Sequence, residues 1–194
     1  MPGEMPAHGI QLDMDVFHAF RDDRPKEEKW ELIDGVPVMM PPPSLVHQYI
    51  ADNLFALLNE RLRSAVPTWR AVTEICLLLA GDKKYNPEPD VTVIDKAVQL
   101  DQIYATKFHF VAEVLSPNDK PKVLTAKLAY YQAHESCMAI LFVRQDKVEA
   151  RLYLRDRKWK PLTLSKATNR IDLPGIGDIG SLNDIYLDTP LFTS

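Results

Sequence analysis

The chain has 194 residues, of which 46% are hydrophobic and 26% charged, and its formal net charge is −4. This length and balance are ordinary for a globular protein with one sizeable core, and the acidic charge argues against a protein that coats nucleic acid. No signal peptide is visible, and no apolar run reaches the roughly 18 residues of a membrane span. We therefore expect a cytoplasmic protein that is not inserted in a membrane.

The first half of the chain predicts a helix, a hairpin and a longer helix. Asp34-Gly35 between two apolar runs indicates the hairpin, and Ser44 is positioned to cap the longer helix. The predicted bounds are 13–22 for the first helix, 29–33 and 36–40 for the hairpin strands, and 45–63 for the second helix.

The second half predicts several strands and one further helix, capped by Asn118 or Asp119. The glycine-rich stretch 173–182 is expected to lack regular structure. Strands are expected at 68–80, 90–95, 108–116, 137–143 and 148–155, and the helix from about 119 to 134. This order predicts an α/β or α+β fold, with a mixed sheet flanked by helices, in a single domain spanning residues 1–194 with a loose N-terminus at 1–10.

Glu113 lies in the middle of the apolar run FVAEVL, which predicts a buried strand. A buried carboxylate is costly unless a charge, a hydrogen bond or a metal ion satisfies it, so Glu113 pairs either with a cation or with a buried base such as His109. Asp90 opens the preceding strand, although taken alone it is more simply a turn residue. If the strands are neighbours, the two carboxylates repel each other, and a bound Mg²⁺ or Mn²⁺ would relieve the repulsion.

Lys127 falls at the edge of the apolar face of the predicted 119–134 helix, so its ammonium can reach toward the sheet. A lysine beside a cation can hold an attacking water or stabilise charge on a phosphate. Lys127 alone is more simply a solvated helix residue. The combination of Asp90, Glu113 and Lys127 nevertheless favours phosphodiester hydrolysis. Covalent catalysis has little support, because no Gly-x-Ser-x-Gly occurs and Cys76 and Cys137 both lie in apolar runs.

Four blocks in this order resemble a known family: WELIDGVPVMMPPPSLVHQ, PEPDVTVID, EVLSPND and KLAYY. Over about residues 13–155 the chain resembles the Uma-two (Uma2) family of restriction endonucleases, part of the PD-(D/E)XK nuclease superfamily. The resemblance implies a restriction-endonuclease-like mixed sheet with flanking helices. It also implies hydrolysis of DNA that depends on Mg²⁺ or Mn²⁺, and a homodimer is plausible because cutting both strands needs two active sites.

Carried over residue by residue, the resemblance implies that Asp90, Glu113 and Lys127 are catalytic. Asp90, Glu113 and the backbone carbonyl of Val114 would hold the metal. The superfamily lysine normally stands two residues after the glutamate, where this chain has Leu115, so its role passes to Lys127 on the next helix.

Three further residues match family positions of lesser weight. Glu31 corresponds to an acidic residue that can complete the metal site, although it could also be only the polar side of a hairpin strand. His47 and Gln48 match a His-Gln pair at the start of the first long helix and are possible accessory residues, although His47 could be purely structural.

One departure from the family leaves a second function open. Val123 stands four residues before Lys127, where the family usually has an aspartate that could orient the lysine. An inactive binding or assembly protein on a nuclease-like fold is therefore the alternative. The segment 144–160, with seven lysines and arginines, could follow a phosphate backbone or could equally be a solvated strand face.

Overall fold

The computed structural model describes residues 11–79 and 81–192. The predicted loose N-terminus at 1–10 lies outside the described residues. The helices are α1 (Met14–Asp22), α2 (Leu45–Ala65), α3 (Pro121–Ala133) and α4 (Leu182–Ile185). The strands are β1 (Lys29–Ile33), β2 (Val36–Met40), β3 (Trp69–Thr73), β4 (Cys76–Leu77), β5 (Val91–Asp95), β6 (Tyr104–Ala105), β7 (Phe110–Leu115), β8 (Ala139–Arg144), β9 (Ala150–Leu154), β10 (Pro161–Leu164), β11 (Arg170–Leu173) and β12 (Gly177–Ser181).

A six-stranded mixed sheet in the order β10-β9-β8-β7-β5-β3 forms the centre of the fold. Only β7 and β8 within it run parallel, and α3 makes the crossover that a parallel pair requires. The other neighbours in the sheet are antiparallel. The predicted mixed sheet with flanking helices is therefore confirmed.

Both faces of the sheet are buried, so the strands are apolar on both sides. One face packs against α2 together with β11, β12 and α4, and the other packs against α3. Because side chains alternate along a strand, Ala112 and Val114 of β7 face α2, whereas Glu113 faces α3. The alternation alone thus decides which helix can supply a partner for Glu113.

The hairpin β1–β2 is a separate two-stranded sheet with the register predicted from Asp34-Gly35. It packs with α1 through a small cluster that contains Phe17, Trp30 and Leu32. A single bridge between Leu32 and Asn86 joins it to the segment that leads into β5. This docking brings the buried Glu31 of β1 close to the central sheet.

The predicted strand over 68–80 is wrong, because the chain divides it into β3 and β4. Glu74 between them has φ of 49°, in the left-handed region that ends strand pairing. β3 stays in the central sheet, whereas β4 pairs in parallel with β6 in a separate two-stranded sheet. Residues 68–80 contain no glycine or proline, so their apolar pattern predicted one continuous strand.

Two further local predictions are wrong. Asp119 does not cap α3, since its carboxylate accepts from the Ser116 amide at 2.8 Å, and α3 begins at Pro121 with no side-chain cap. The stretch 173–182 is not irregular, because most of it belongs to the β11–β12 hairpin and the start of α4. Glycines there take up the positive φ values of the turn while isoleucines face the core.

Both cysteines are free; Cys137 is fully buried and Cys76 is partly buried. None of the helices in the described part of the chain is long and apolar enough to cross a membrane.

We expect Leu54→Ala in α2 to lower the free energy of unfolding by about 2–5 kcal/mol, since this fully buried side chain would leave a cavity against the sheet. Asp52→Ala, at an exposed position of the same helix, is the control and should change stability by less than about 0.5 kcal/mol. Urea unfolding of both variants tests the packing of α2, and equal losses would contradict it.

Candidate active site

Three distant parts of the chain bring charged side chains together inside the protein. Glu31 comes from β1, Glu113 from β7 and Lys127 from α3, and all three are at least nine-tenths buried. The Lys127 Nζ atom lies 2.7 Å from Glu113 Oε1 and 3.0 Å from Glu31 Oε2. The interpretation of Lys127 as a solvated helix residue is therefore wrong.

Burial by itself would lower the pKa of Lys127, but the charges of Glu113 and Glu31 outweigh it and raise the pKa above its usual value. Lys127 thus remains an ammonium inside the protein. The base that satisfies Glu113 is this lysine rather than His109, which pairs instead with Asp95 at 2.9 Å.

Glu113 has a second partner that the sequence did not indicate as a site residue. The Tyr131 hydroxyl donates to Glu113 Oε1 over 2.5 Å, so both partners contact the same oxygen. The hydrogen bond and the ion pair found for Glu113 within the described residues both fall on Oε1. Burial, together with the charges of Asp90 and Glu31, raises the pKa of Glu113 to about 7 despite the opposing charge of Lys127.

Glu31 is buried with one oxygen satisfied and one only ion-paired. Its Oε1 accepts from the Glu88 amide at 3.0 Å and from Lys127 Nζ at 3.3 Å. Its Oε2 lies 3.0 Å from Lys127 Nζ as an ion pair, and no described group donates a hydrogen bond to it. Glu31 is therefore more than the polar side of a hairpin strand, because it faces the lysine.

Asp90 stands just before β5 and is held from two sides. Its Oδ2 accepts from the Val114 amide at 2.6 Å, and its Oδ1 lies 2.9 Å from His47 Nε2. Burial opposes the charged form, but the His47 contact, the amide hydrogen bond and the Lys127 charge together lower the pKa of Asp90. Asp90 is thus an ionised carboxylate next to Glu113 and not a simple turn residue.

His47 and Gln48 differ in their placement at the start of α2. The helix begins after Ser44, whose hydroxyl caps the His47 amide at 3.1 Å, and this turns the His47 ring toward Asp90. Burial lowers the pKa of His47, but the hydrogen bond to Asp90 and its charge outweigh that effect and raise it. Gln48 is exposed and lies outside this group of contacts.

Two of the three acidic residues, Asp90 and Glu113, are the candidates for holding a small divalent cation. Within residues 11–79 and 81–192, no three His, Cys, Asp or Glu side chains converge in a way that would hold a metal by themselves. Mg²⁺, however, usually binds one or two protein carboxylates and completes its shell with water and substrate phosphates. Asp90 and Glu113 supply that number, and the Asp90 carboxylate is held beside Glu113 by its hydrogen bond from the Val114 amide.

The Val114 backbone contacts Asp90 through its amide, and the predicted role of its carbonyl as a ligand stays a prediction. Val123 is half-buried and carries no charge. The carboxylates that hold Lys127 are therefore Glu31 and Glu113, from other elements, instead of an acidic residue one turn earlier on α3.

Three of the seven basic side chains in the segment 144–160 make local contacts. Arg144 pairs with Asp146, and Lys147 pairs with Glu149. Both ion pairs lie where the chain passes from β8 to β9. Arg155 donates to backbone carbonyls that include the Cys137 oxygen, at 2.6 Å. These contacts favour the interpretation of a solvated face.

Comparisons with known proteins identify the family. The model of the Uma2 family, described as "Putative restriction endonuclease", matches residues 14–182. The fold is similar to the crystal structure of a "putative nuclease belonging to DUF820" from Anabaena variabilis ATCC 29413, with a TM-score of 0.74 and 17% identity over 90% of this chain and 97% of that one. No curated protein matches the chain. The family model covers most of the sequence, and the four ordered sequence blocks predicted this family. The chain therefore belongs to the Uma2 family.

Proposed function

We propose that the protein is an endonuclease that hydrolyses phosphodiester bonds of DNA with the help of Mg²⁺ or Mn²⁺. The observation that carries the proposal is the buried Lys127 ammonium, held between Glu113 and Glu31 beside the ionised Asp90. A fold alone does not need this arrangement, since replacing a buried ion pair by apolar side chains often leaves stability unchanged or improves it. Membership of the Uma2 family supports the same reaction class.

Asp90 and Glu113, with the Val114 carbonyl, would hold the cation. When bound, the cation would activate the attacking water and stabilise the charge that develops on the phosphate. The contact of Asp90 with the Val114 amide fixes one carboxylate relative to the strand that carries the other. His47 keeps Asp90 ionised and oriented from its second oxygen.

Lys127 would donate hydrogen bonds to the attacking water or to a phosphate oxygen. Glu31 would hold the lysine from its other side, which is the role that the family gives to an aspartate at the position of Val123. The flexible stem of a lysine allows the ammonium to move between these partners without displacing the helix. We also propose a homodimer, because two such sites could then act on the two strands of a duplex.

A non-catalytic binding or assembly protein is the second candidate. The observation that favours it is the direct contact of Lys127 with Glu113, which satisfies the buried carboxylate without any cation. Binding of a divalent cation separates the two candidates, because an inert scaffold has no need of it.

Mn²⁺ binding should depend on Asp90 and Glu113. We expect Asp90→Asn and Glu113→Gln each to weaken Mn²⁺ binding by at least about tenfold, since each removes a charged oxygen ligand. Asp95→Asn is the matched control, because Asp95 ends the strand that Asp90 precedes and pairs with Lys107 and His109. Calorimetric titration measures the affinities, and unchanged binding in both site variants would remove the proposed metal site.

Lys127→Met should separate metal binding from cleavage. We expect DNA cleavage to fall by about 10²–10³-fold, while Mn²⁺ binding is retained or strengthened because the competing ammonium is gone. Lys122→Met, at an exposed position of the same helix, should leave both unchanged. Cleavage of a plasmid under saturating Mn²⁺ tests this, and normal cleavage by Lys127→Met would exclude the lysine from the reaction.

Mn²⁺ affinity should fall in acid. Because the pKa of Glu113 is raised to about 7, the carboxyl group must lose its proton before it can bind a cation at lower pH. We expect the apparent affinity to decrease about tenfold between pH 8 and pH 6 through this one proton. Titrations at both pH values, in buffers of different ionisation enthalpy, measure the affinity and the proton released. An affinity that does not change with pH would contradict the placement of Glu113.

A further inference from the structure

We infer that Tyr131 is a positioning residue, which holds Glu113 in place through Oε1 when Lys127 leaves that oxygen to take part in the reaction. The family resemblance assigns no role to Tyr131, although the residue lies in the KLAYY block, and the inference rests on the proposed function. It follows from the contacts of Tyr131 on α3, from the packing of its ring and from the chemistry of its hydroxyl.

Tyr131 and Lys127 reach the same oxygen from the same helix. They stand four residues apart, so they lie one turn from each other on the same face of α3. Lys127 Nζ is 2.7 Å and the Tyr131 hydroxyl 2.5 Å from Glu113 Oε1. Both groups therefore donate to the same oxygen of Glu113, and we assign Oε2 to the divalent cation.

The aromatic ring is held by packing and not by the hydrogen bond. Tyr131 is fully buried, and its ring meets the Phe108 ring edge-to-face at 6.2 Å and the Tyr130 ring at 5.9 Å. A fully buried ring in such contacts stays in a packed rotamer. In this rotamer the hydroxyl lies within hydrogen-bonding distance of Glu113 Oε1.

The hydroxyl is a permanent donor. A tyrosine phenol is neutral at physiological pH, since its ordinary pKa is about 10, so it can donate a hydrogen bond to the carboxylate. A neutral donor can stabilise a carboxylate without competing with a cation for its charge. Lys127 differs in this respect, since its ammonium repels any cation that binds to Glu113.

The two donors therefore suit different tasks. Lys127 has a flexible stem and a full charge, which suit a group that turns toward a water or a phosphate. When it turns, Glu113 loses its charged partner while still buried. Tyr131 then remains as the donor to Oε1, so the carboxylate keeps its orientation and presents Oε2 to the cation.

The test compares Tyr131→Phe with Tyr130→Phe. Each change removes one buried hydroxyl and keeps the ring, but within the described residues the Tyr130 hydroxyl makes its hydrogen bonds with the backbone of Leu77 and Leu79. We expect Tyr131→Phe to weaken binding of Mn²⁺ alone by about tenfold and to lower kcat for DNA cleavage at saturating Mn²⁺ with little change in KM. Tyr130→Phe should leave Mn²⁺ affinity and kcat unchanged.

A second measurement remains informative if the variant is less stable. In the Lys127→Met background Tyr131 is the remaining donor to Oε1, so Tyr131→Phe should weaken Mn²⁺ binding more there than in the wild type. Equal Mn²⁺ affinity of wild type, Tyr131→Phe and Tyr130→Phe would overturn the inference and leave the proposed function standing. A wild type that neither binds Mn²⁺ nor cleaves DNA would overturn both.

Discussion

The buried ammonium of Lys127 is the constraint on which the arrangement of this protein depends. Burying a lone charge is prohibitively costly, so α3 can pack against the sheet only if carboxylates meet the lysine there. Glu113 supplies one from the central strand β7, and Glu31 supplies the other from the β1–β2 hairpin. The ion pairs therefore link three parts of the fold that are far apart in sequence, and loss of the lysine charge would leave both glutamates without this cation.

The same arrangement leaves negative charge that the lysine does not neutralise. Asp90 is ionised through His47 and the Val114 amide, and its charge and that of Glu31 contribute to the raised pKa of Glu113. Three carboxylates lie around the single ammonium of Lys127. A group with such an excess is more stable when a proton or a divalent cation binds, and this links the structure to the reaction that we propose.

Much of the fold was predictable because its signals are local. The Asp34-Gly35 hairpin and the helix after Ser44 are confirmed almost to the residue, since turn geometry and capping involve only neighbours along the chain. The break at Glu74 and the β11–β12 hairpin were missed, because a left-handed residue without glycine and strands rich in glycine depend on packing from elsewhere. In the proposed site, likewise, the residue types could be read from the sequence, whereas their contacts depend on packing between distant parts of the chain.

The sequence by itself determined the candidates: a glutamate inside an apolar strand, an aspartate before the next one and the blocks of the Uma2 family. Only the tertiary structure decided their partners. It buried Lys127 between two glutamates, gave His109 to Asp95, and placed the Tyr131 hydroxyl on Glu113 although its ring is part of the apolar face of α3. The physical reason is that a side chain's type and its alternation along a strand are local properties, whereas the partner of a buried charge depends on which elements pack against each other.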